Sequence, residues 1–181
     1  MAIFLDRDGV IIENRANYVR SWADVEFVPG ALSALAKLKD SSYKIVIITN
    51  QAGIGHGIIS RAAVEEINER LKHVIQSING RIEKIYLCPH KPEDGCNCRK
   101  PKPGMILDAA QDFNIDLKQS ILIGDNLSDI QAGYAAGVGQ VVLVRTGIGV
   151  ESATKLQTAG LSEVRIYNDL AQALADLVKI P

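Results

Sequence analysis

The sequence predicts an α/β fold, a Rossmann-like parallel sheet flanked by helices. Three observations predict it. Five short, β-rich runs are almost continuously apolar, as strands buried on both faces must be. Helix-like segments alternate with them. The chemically capable residues fall just after the runs, on the rim where such sheets bind ligands.

The runs are Ala2 to Leu5, Lys44 to Thr49, Lys84 to Cys88, Ser120 to Gly124 and Gln140 to Val144, with a possible sixth at Glu163 to Tyr167. A first helix is expected over Ala31 to Lys39, where Leu32, Leu35 and Leu38 follow a Pro29-Gly30 start. Ser60 suits an N-cap for a longer helix whose apolar face carries Val64, Ile67, Leu71, Val74 and Ile78. Further helices are expected over Met105 to Phe113, over Ser128 to Ala136 ended by Gly137, and over Asp169 to Lys179. No repeat, low-complexity stretch or linker divides the chain, so residues 1–181 read as a single domain.

Composition narrows the class. Hydrophobic residues make up 47% and charged residues 23% of the 181, the balance of a folded globular chain. A net charge of -1 provides no global basic field, and no nucleic-acid partner is expected. No apolar run approaches the roughly 20 residues that cross a bilayer. Asp6, Arg7 and Asp8 interrupt the apolar start too early for a secretory signal. A cytoplasmic protein is expected, and a monomer, because no surplus apolar stretch suggests an interface.

The rim carries the chemistry. Asp6-Arg7-Asp8-Gly9 follows the first run, and Thr49-Asn50-Gln51 ends the second. Cys88-Pro89-His90 opens a loop that reaches Arg99-Lys100-Pro101. Gly124-Asp125-Asn126 ends the fourth run, with Asp129 behind it. Asp6 and Asp8 are two apart, so both carboxylates can face one side of a strand end. They repel unless a cation joins them, and Asp125 supplies a further oxygen. Magnesium suits such an oxygen site and keeps room for a substrate phosphate. An aspartate can attack phosphorus, and a second carboxyl can protonate the leaving oxygen and then activate water. Thr49 and Lys100 can neutralise charge on a transferring phosphoryl group. A lone D-x-D most often marks solvated loop carboxylates. The ordered set at four strand ends is what points to chemistry.

These motifs, D-R-D-G-V at Asp6 to Val10, I-T-N-Q at Ile48 to Gln51, R-K-P-K-P-G-M at Arg99 to Met105 and G-D-N-L-S-D at Gly124 to Asp129, resemble the haloacid dehalogenase superfamily of phosphatases. The resemblance implies Asp6 as nucleophile, Asp8 as general acid and base, and Thr49 and Lys100 as phosphoryl stabilisers. It implies magnesium on Asp6, Asp125 and the backbone carbonyl of Asp8, with Asp129 outside them. Within the superfamily the sequence is most similar to small phosphatases of sugar bisphosphates, whose relatives act on histidinol phosphate. By that resemblance Asn50 and Arg99 contact substrate, and a flap from Glu13 to Tyr18 wraps it, with Tyr18 a contact. Similar enzymes often carry Lys where this chain has Asn126, a departure that bears on substrate preference. Many members of the superfamily insert a cap domain. Here the stretches from Asp8 to Thr49 and from Thr49 to Lys100 leave no room for one, so a capless, open site is expected. It suits a small sugar bisphosphate and does not forbid a phosphorylated nucleic-acid end. A non-enzymatic, zinc-stabilised binding module on this fold would have no need of Asp6, Asp8, Thr49, Lys100 and Asp125 together.

All three cysteines lie within eleven residues, with a histidine among them. Cys88, His90, Cys96 and Cys98 read C-x-H-x5-C-x-C, a complete tetrahedral set for zinc. Four protein ligands leave no place for a reactive water, so the ion is expected to be structural. It would fix the loop so that Arg99 and Lys100 point into the site. His56 and His73 carry no comparable case, although His56 lies in a Gly-rich stretch near the rim.

Overall fold

The computed structural model describes residues 1–178. In chain order the elements are β1 (Ala2–Leu5), α1 (Ala31–Ala36), β2 (Lys44–Asn50), α2 (Ala52–Gly55), α3 (Arg61–Ser77), β3 (Lys84–Cys88), α4 (Gly104–Phe113), β4 (Ile121–Gly124), α5 (Leu127–Ala136), β5 (Gln140–Val144), α6 (Gly149–Thr158), β6 (Arg165–Tyr167) and α7 (Leu170–Leu177). The strands form one parallel sheet in the order β3-β2-β1-β4-β5-β6. The chain builds outward from β1 on one side, then returns to place β4 on the other. Ile3 pairs with Ile45 on one flank and Ile121 on the other. The reversal opens a crevice at the carboxyl ends of β1 and β4, where such sheets receive ligands.

Alternation along the strands makes two cores. Ile3, Leu5, Ile45, Ile47, Ile121 and Ile123 pack against α1, α3 and α7 on one face. Ala2, Phe4, Val46, Ile48, Leu122 and Leu143 pack against α4, α5 and α6 on the other. Each strand is apolar on both faces because each face meets a helical layer.

Most elements lie where the sequence predicts them, and the deviations have local causes. Ser60 caps α3, its hydroxyl accepting from the Ala63 N–H at 3.1 Å. The buried stripe of that helix runs Val64, Ile67, Asn68, Leu71 and Ile75. The expected continuation through Val74 and Ile78 is only half-buried, because the stripe steps by four from Leu71 and the helix ends at Ser77. Helix α1 stops at Ala36 rather than Lys39; Leu38 stays buried through a tighter turn, its N–H bonding Leu35 O at 3.1 Å. The α7 assignment ends at Leu177, and the expected end at Lys179 lies outside the described residues. Helix α6 was not foreseen. Its buried residues are Gly149, Ser152 and Leu156, too small and polar to write an apolar stripe.

Candidate active site

The end of β1 is held in the sheet by the Asp6 N–H, which donates to Ile123 O at 3.0 Å. This sets the Asp6 carboxylate beside the end of β4, where Asp125 follows. The chain then turns sharply through Gly9, at φ +92°. A side chain there would run into the Asp125 carboxylate, so the position requires glycine. The loop after β5 closes the same corner. Thr146 Oγ1 donates to Gly9 O at 2.6 Å, and the Ile148 N–H donates to Asp125 Oδ2 at 2.9 Å.

Lys100 enters from the loop behind Cys98 and is 3% exposed. Its Nζ lies 2.9 Å from Asp6 Oδ1 and 2.5 Å from Asp129 Oδ1, and donates to Ile48 O at 2.9 Å. Asn50 clamps the Lys100 main chain, its Nδ2 donating to Lys100 O and its Oδ1 accepting from Lys100 N, both at 3.1 Å. Asn50 lines the cavity, with its amide engaged on that peptide rather than free. Asn126 is likewise engaged. Its Oδ1 caps α5 through the Ser128 N–H at 3.0 Å, while Asp129 Oδ2 accepts from the Asn126 N–H at 3.0 Å.

Carboxylate oxygens of Asp6, Asp125 and Asp129 lie within 4.8 Å of one another. Burial first, and then the neighbouring carboxylates against the opposing pull of Lys100, push Asp6 up to about 7. Burial, Asp6 and Asp129 push Asp125 up to about 8. For Lys100 burial opposes the charge, but Asp129 and Asp6 outweigh it and the lysine is held above its ordinary value. Three carboxylates against one lysine leave an excess of negative charge that a hard divalent cation would balance, so the donor set fits magnesium.

Asp8 sits differently. Arg7 Nε and Nη2 donate to its two oxygens at 3.1 Å each. Gln51 Nε2 donates to Oδ2 at 2.9 Å and Thr49 Oγ1 at 3.3 Å. Arg7 Nη1 in turn donates to Asn68 Oδ1, from α3, at 2.7 Å. The sequence reading gave no role to Arg7, Gln51 or Asn68. The available signals were an arginine at the end of a buried strand and a polar residue on the apolar stripe of α3.

Asp6, Asp8, Tyr18, Asn50, Arg99, Lys100 and Asp125 line a single cavity of about 480 Å³, within the usual range for small-molecule sites. Thr49 is fully buried below it and reaches it through Asp8. Tyr18, at φ +63°, and Arg15 both line the cavity from the flap, the Arg15 guanidinium paired with Glu26 at 2.9 Å. His56 and His73 are exposed and do not line the cavity.

Outside the cavity lining, Cys88, His90, Cys96 and Cys98 converge. Their Sγ and Nδ1 atoms make contacts of 3.2 to 3.6 Å. These are close to the edges of a tetrahedron built on zinc bonds of about 2.0–2.3 Å. Burial pushes the Cys88 thiol up to about 12. The donors fit zinc; Cys88 ends β3, and the other three come from the loop that follows it and runs straight into Arg99 and Lys100.

A parallel sheet with a carboxylate–lysine cluster at its switch point is the frame of a haloacid dehalogenase-like phosphatase. A hydrolase of that family from Streptococcus pneumoniae, SP0104, matches with a TM-score of 0.65 over 97% of both chains at 16% identity, a likeness of fold alone. Residues 1–152 match the family model described as polynucleotide kinase 3 phosphatase. The D-glycero-beta-D-manno-heptose-1,7-bisphosphate 7-phosphatase of Bordetella bronchiseptica is 36% identical over 178 residues, covering 98% of this chain and 97% of that one. The crystal structure of D,D-heptose 1,7-bisphosphate phosphatase from B. bronchiseptica, complexed with magnesium and phosphate, matches with a TM-score of 0.90 over 98% of both chains, at 36% identity. The chain therefore belongs to the polynucleotide kinase 3 phosphatase family and, by its end-to-end relatives, to the heptose 1,7-bisphosphate 7-phosphatases.

Proposed function

We propose that this chain is a magnesium-dependent phosphatase that removes the 7-phosphate of D-glycero-D-manno-heptose 1,7-bisphosphate through an aspartyl-phosphate. The observation that carries the reading is Asp6 at the floor of the cavity, paired with Lys100 and flanked by Asp125 and Asp8. The substrate assignment rests on end-to-end relatives that bear that name.

In the first step an Asp6 oxygen bonds to phosphorus while the bond from phosphorus to the sugar oxygen breaks. Asp8 gives its proton to that oxygen. In the second step water bonds to phosphorus, the bond to Asp6 breaks, and Asp8 takes the water proton, returning the enzyme to its starting state. Lys100 and the Thr49 hydroxyl meet the phosphoryl oxygens. Asp6, Asp125 and the carbonyl of Asp8 would hold magnesium, which when bound offsets the repulsion between phosphate and carboxylates. Asp129 holds Lys100 in place. Arg99 and Tyr18 face the sugar and its second phosphate, and Asn50, proposed from the sequence as a substrate contact, serves instead by holding the Lys100 peptide at the cavity edge. Cys88, His90, Cys96 and Cys98 would hold a structural zinc that steadies Arg99 and Lys100. The same reading makes the protein a cytoplasmic monomer of carbohydrate metabolism, one domain throughout, with a soluble substrate; the free cysteines accord with a reducing compartment. Among the described residues no helix is long and apolar enough to cross a membrane.

A phosphate-release panel with magnesium tests it. Both anomers of heptose 1,7-bisphosphate are compared with fructose 1,6-bisphosphate, histidinol phosphate and a 3'-phosphorylated oligonucleotide, the last because of the matched family's name. The expected preference is for the heptose bisphosphate. Preference for histidinol phosphate or the oligonucleotide overturns the substrate. Appreciable turnover by a folded Asp6→Asn variant overturns the covalent route.

A further inference from the structure

Among the described residues Arg7 is the largest side chain that solvent does not reach at all, and no step above uses it. Burying a guanidinium is costly unless every direction it points in is answered. Here two donors meet Asp8 side-on, and a third meets Asn68. Asn68 is 5% exposed and interrupts the apolar stripe of α3. It does not line the active-site cavity, so any influence it has on the chemistry passes through Arg7.

We propose that Asn68 and Arg7 form a positioning pair for Asp8. Asn68 fixes the rotation of the guanidinium, and its two-point fork fixes the plane and reach of the carboxylate. Oδ2 of Asp8 accepts from Arg7, Gln51 and Thr49, and the Thr49 bond is the longest at 3.3 Å. Oδ1 accepts from Arg7 Nη2 alone among the described residues, so it keeps a lone pair for the proton while Arg7 holds the carboxylate still. The proposal rests on the acid–base role given to Asp8.

The test separates the two chemical steps by leaving group. A sugar alkoxide needs a proton to depart, whereas p-nitrophenolate does not; hydrolysis of the aspartyl-phosphate needs a base in both cases. Wild type, Asn68→Ala, Asn68→Asp, Arg7→Lys and Asp8→Asn are compared with magnesium, in steady state on the heptose bisphosphate and by rapid mixing on p-nitrophenyl phosphate. Melting curves control for folding. For Asn68→Ala, kcat on the sugar phosphate is expected to fall about 100-fold with KM within about threefold. On the aryl ester the same variant should release a burst of about one nitrophenolate per site, then slow as the water step stalls. Asn68→Asp keeps an oxygen in place and should recover most of kcat. Arg7→Lys keeps the charge but loses the fork, and should burst. A folded Asn68→Ala with wild-type kinetics, or with equal losses and no burst, overturns the pair. If Asp8→Asn bursts and Asn68→Ala does not, the pair alone fails; if neither bursts, the role of Asp8 fails with it. The aryl-ester readout stands whichever natural substrate the panel selects.

Discussion

Replacing Lys100 by Met leaves Asp6 and Asp129 facing each other without their cation. At 2.9 Å, and with an effective dielectric near 20, one such pair is worth about 6 kcal/mol before the cost of burying the charges. Removing one partner of a buried pair costs about 3–5 kcal/mol net, which for a chain of this size lowers Tm by about 10 °C. Lys100 is 3% exposed, so solvent screens little of this. The loss should depend on pH. Asp6 at about 7 and Asp125 at about 8 are both raised from 3.8. Near pH 5.5 they are largely protonated, so fewer charges lack a partner and the loss should shrink by about half or more.

Denaturant unfolding of metal-free wild type and Lys100→Met at pH 8 and about pH 5.5 measures this. Magnesium should restore part of the loss at pH 8, because it supplies the missing positive charge. An equal loss at both pH values would show that Lys100 contributes packing rather than charge compensation. It would also remove the basis for reading the cluster as a site short of positive charge.

Other perturbations have equally definite outcomes. Gly9→Ala forces a side chain into the Asp125 carboxylate at a φ of +92°, so magnesium-dependent turnover should fall at least about 100-fold in the folded variant. Near-normal turnover would show that Asp125 need not stay where it is. Magnesium binding should release protons, with affinity rising between about pH 6 and pH 8 as Asp6 and Asp125 ionise; calorimetry in buffers of different ionisation enthalpy reads the proton count. In the metal-free protein the sign is opposite. Folded pKa values raised above 3.8 mean that stability present at low pH is lost as pH rises through about 7 to 8. Removing the zinc proposed for the Cys88, His90, Cys96 and Cys98 cluster, by chelation or Cys98→Ser, should loosen the Arg99-Lys100 segment and lower kcat about tenfold or more, as metal analysis alongside kinetics would show. Unchanged kinetics in folded, zinc-free protein would confine the cluster to a passive role.

The strands were legible because they are buried on both faces, which writes continuous apolar runs from Ala2 to Leu5 and from Lys44 to Thr49 into the chain. Asp6, Asp8 and Asp125 were legible because they follow those runs closely, and Thr49 because it ends one. Strand order was not, since nothing in the local sequence says that β4 lies beside β1; pairing of Leu5 with Ile123 is what brings Asp125 to Asp6. Helix α6 escaped because Gly149 and Ser152 carry its inner face. Arg7 was not legible as a buried group, because a charged residue at a strand end reads as solvent-facing until its partner is known. That partner, Asn68, is 61 residues away, and only the packing of α3 on the sheet unites them.

The same dependence on distant partners explains how the site divides its carboxylates. Asp6 and Asp8 are near-identical in sequence terms, two residues apart on one turn. Asp6 meets Lys100 and the excess of negative charge from β4 and α5, and is driven toward its neutral form unless a cation arrives. Asp8 points to the other side, into four donors from Arg7, Gln51 and Thr49. One carboxylate thus faces the lysine and the other acidic groups, and the other is aimed by hydrogen bonds. The difference comes from β4, α3 and the zinc-type loop, three elements that the D-R-D-G motif does not contain. A variant that swaps the motif's own residues therefore tests less of the mechanism than one that moves Lys100 or Asn68.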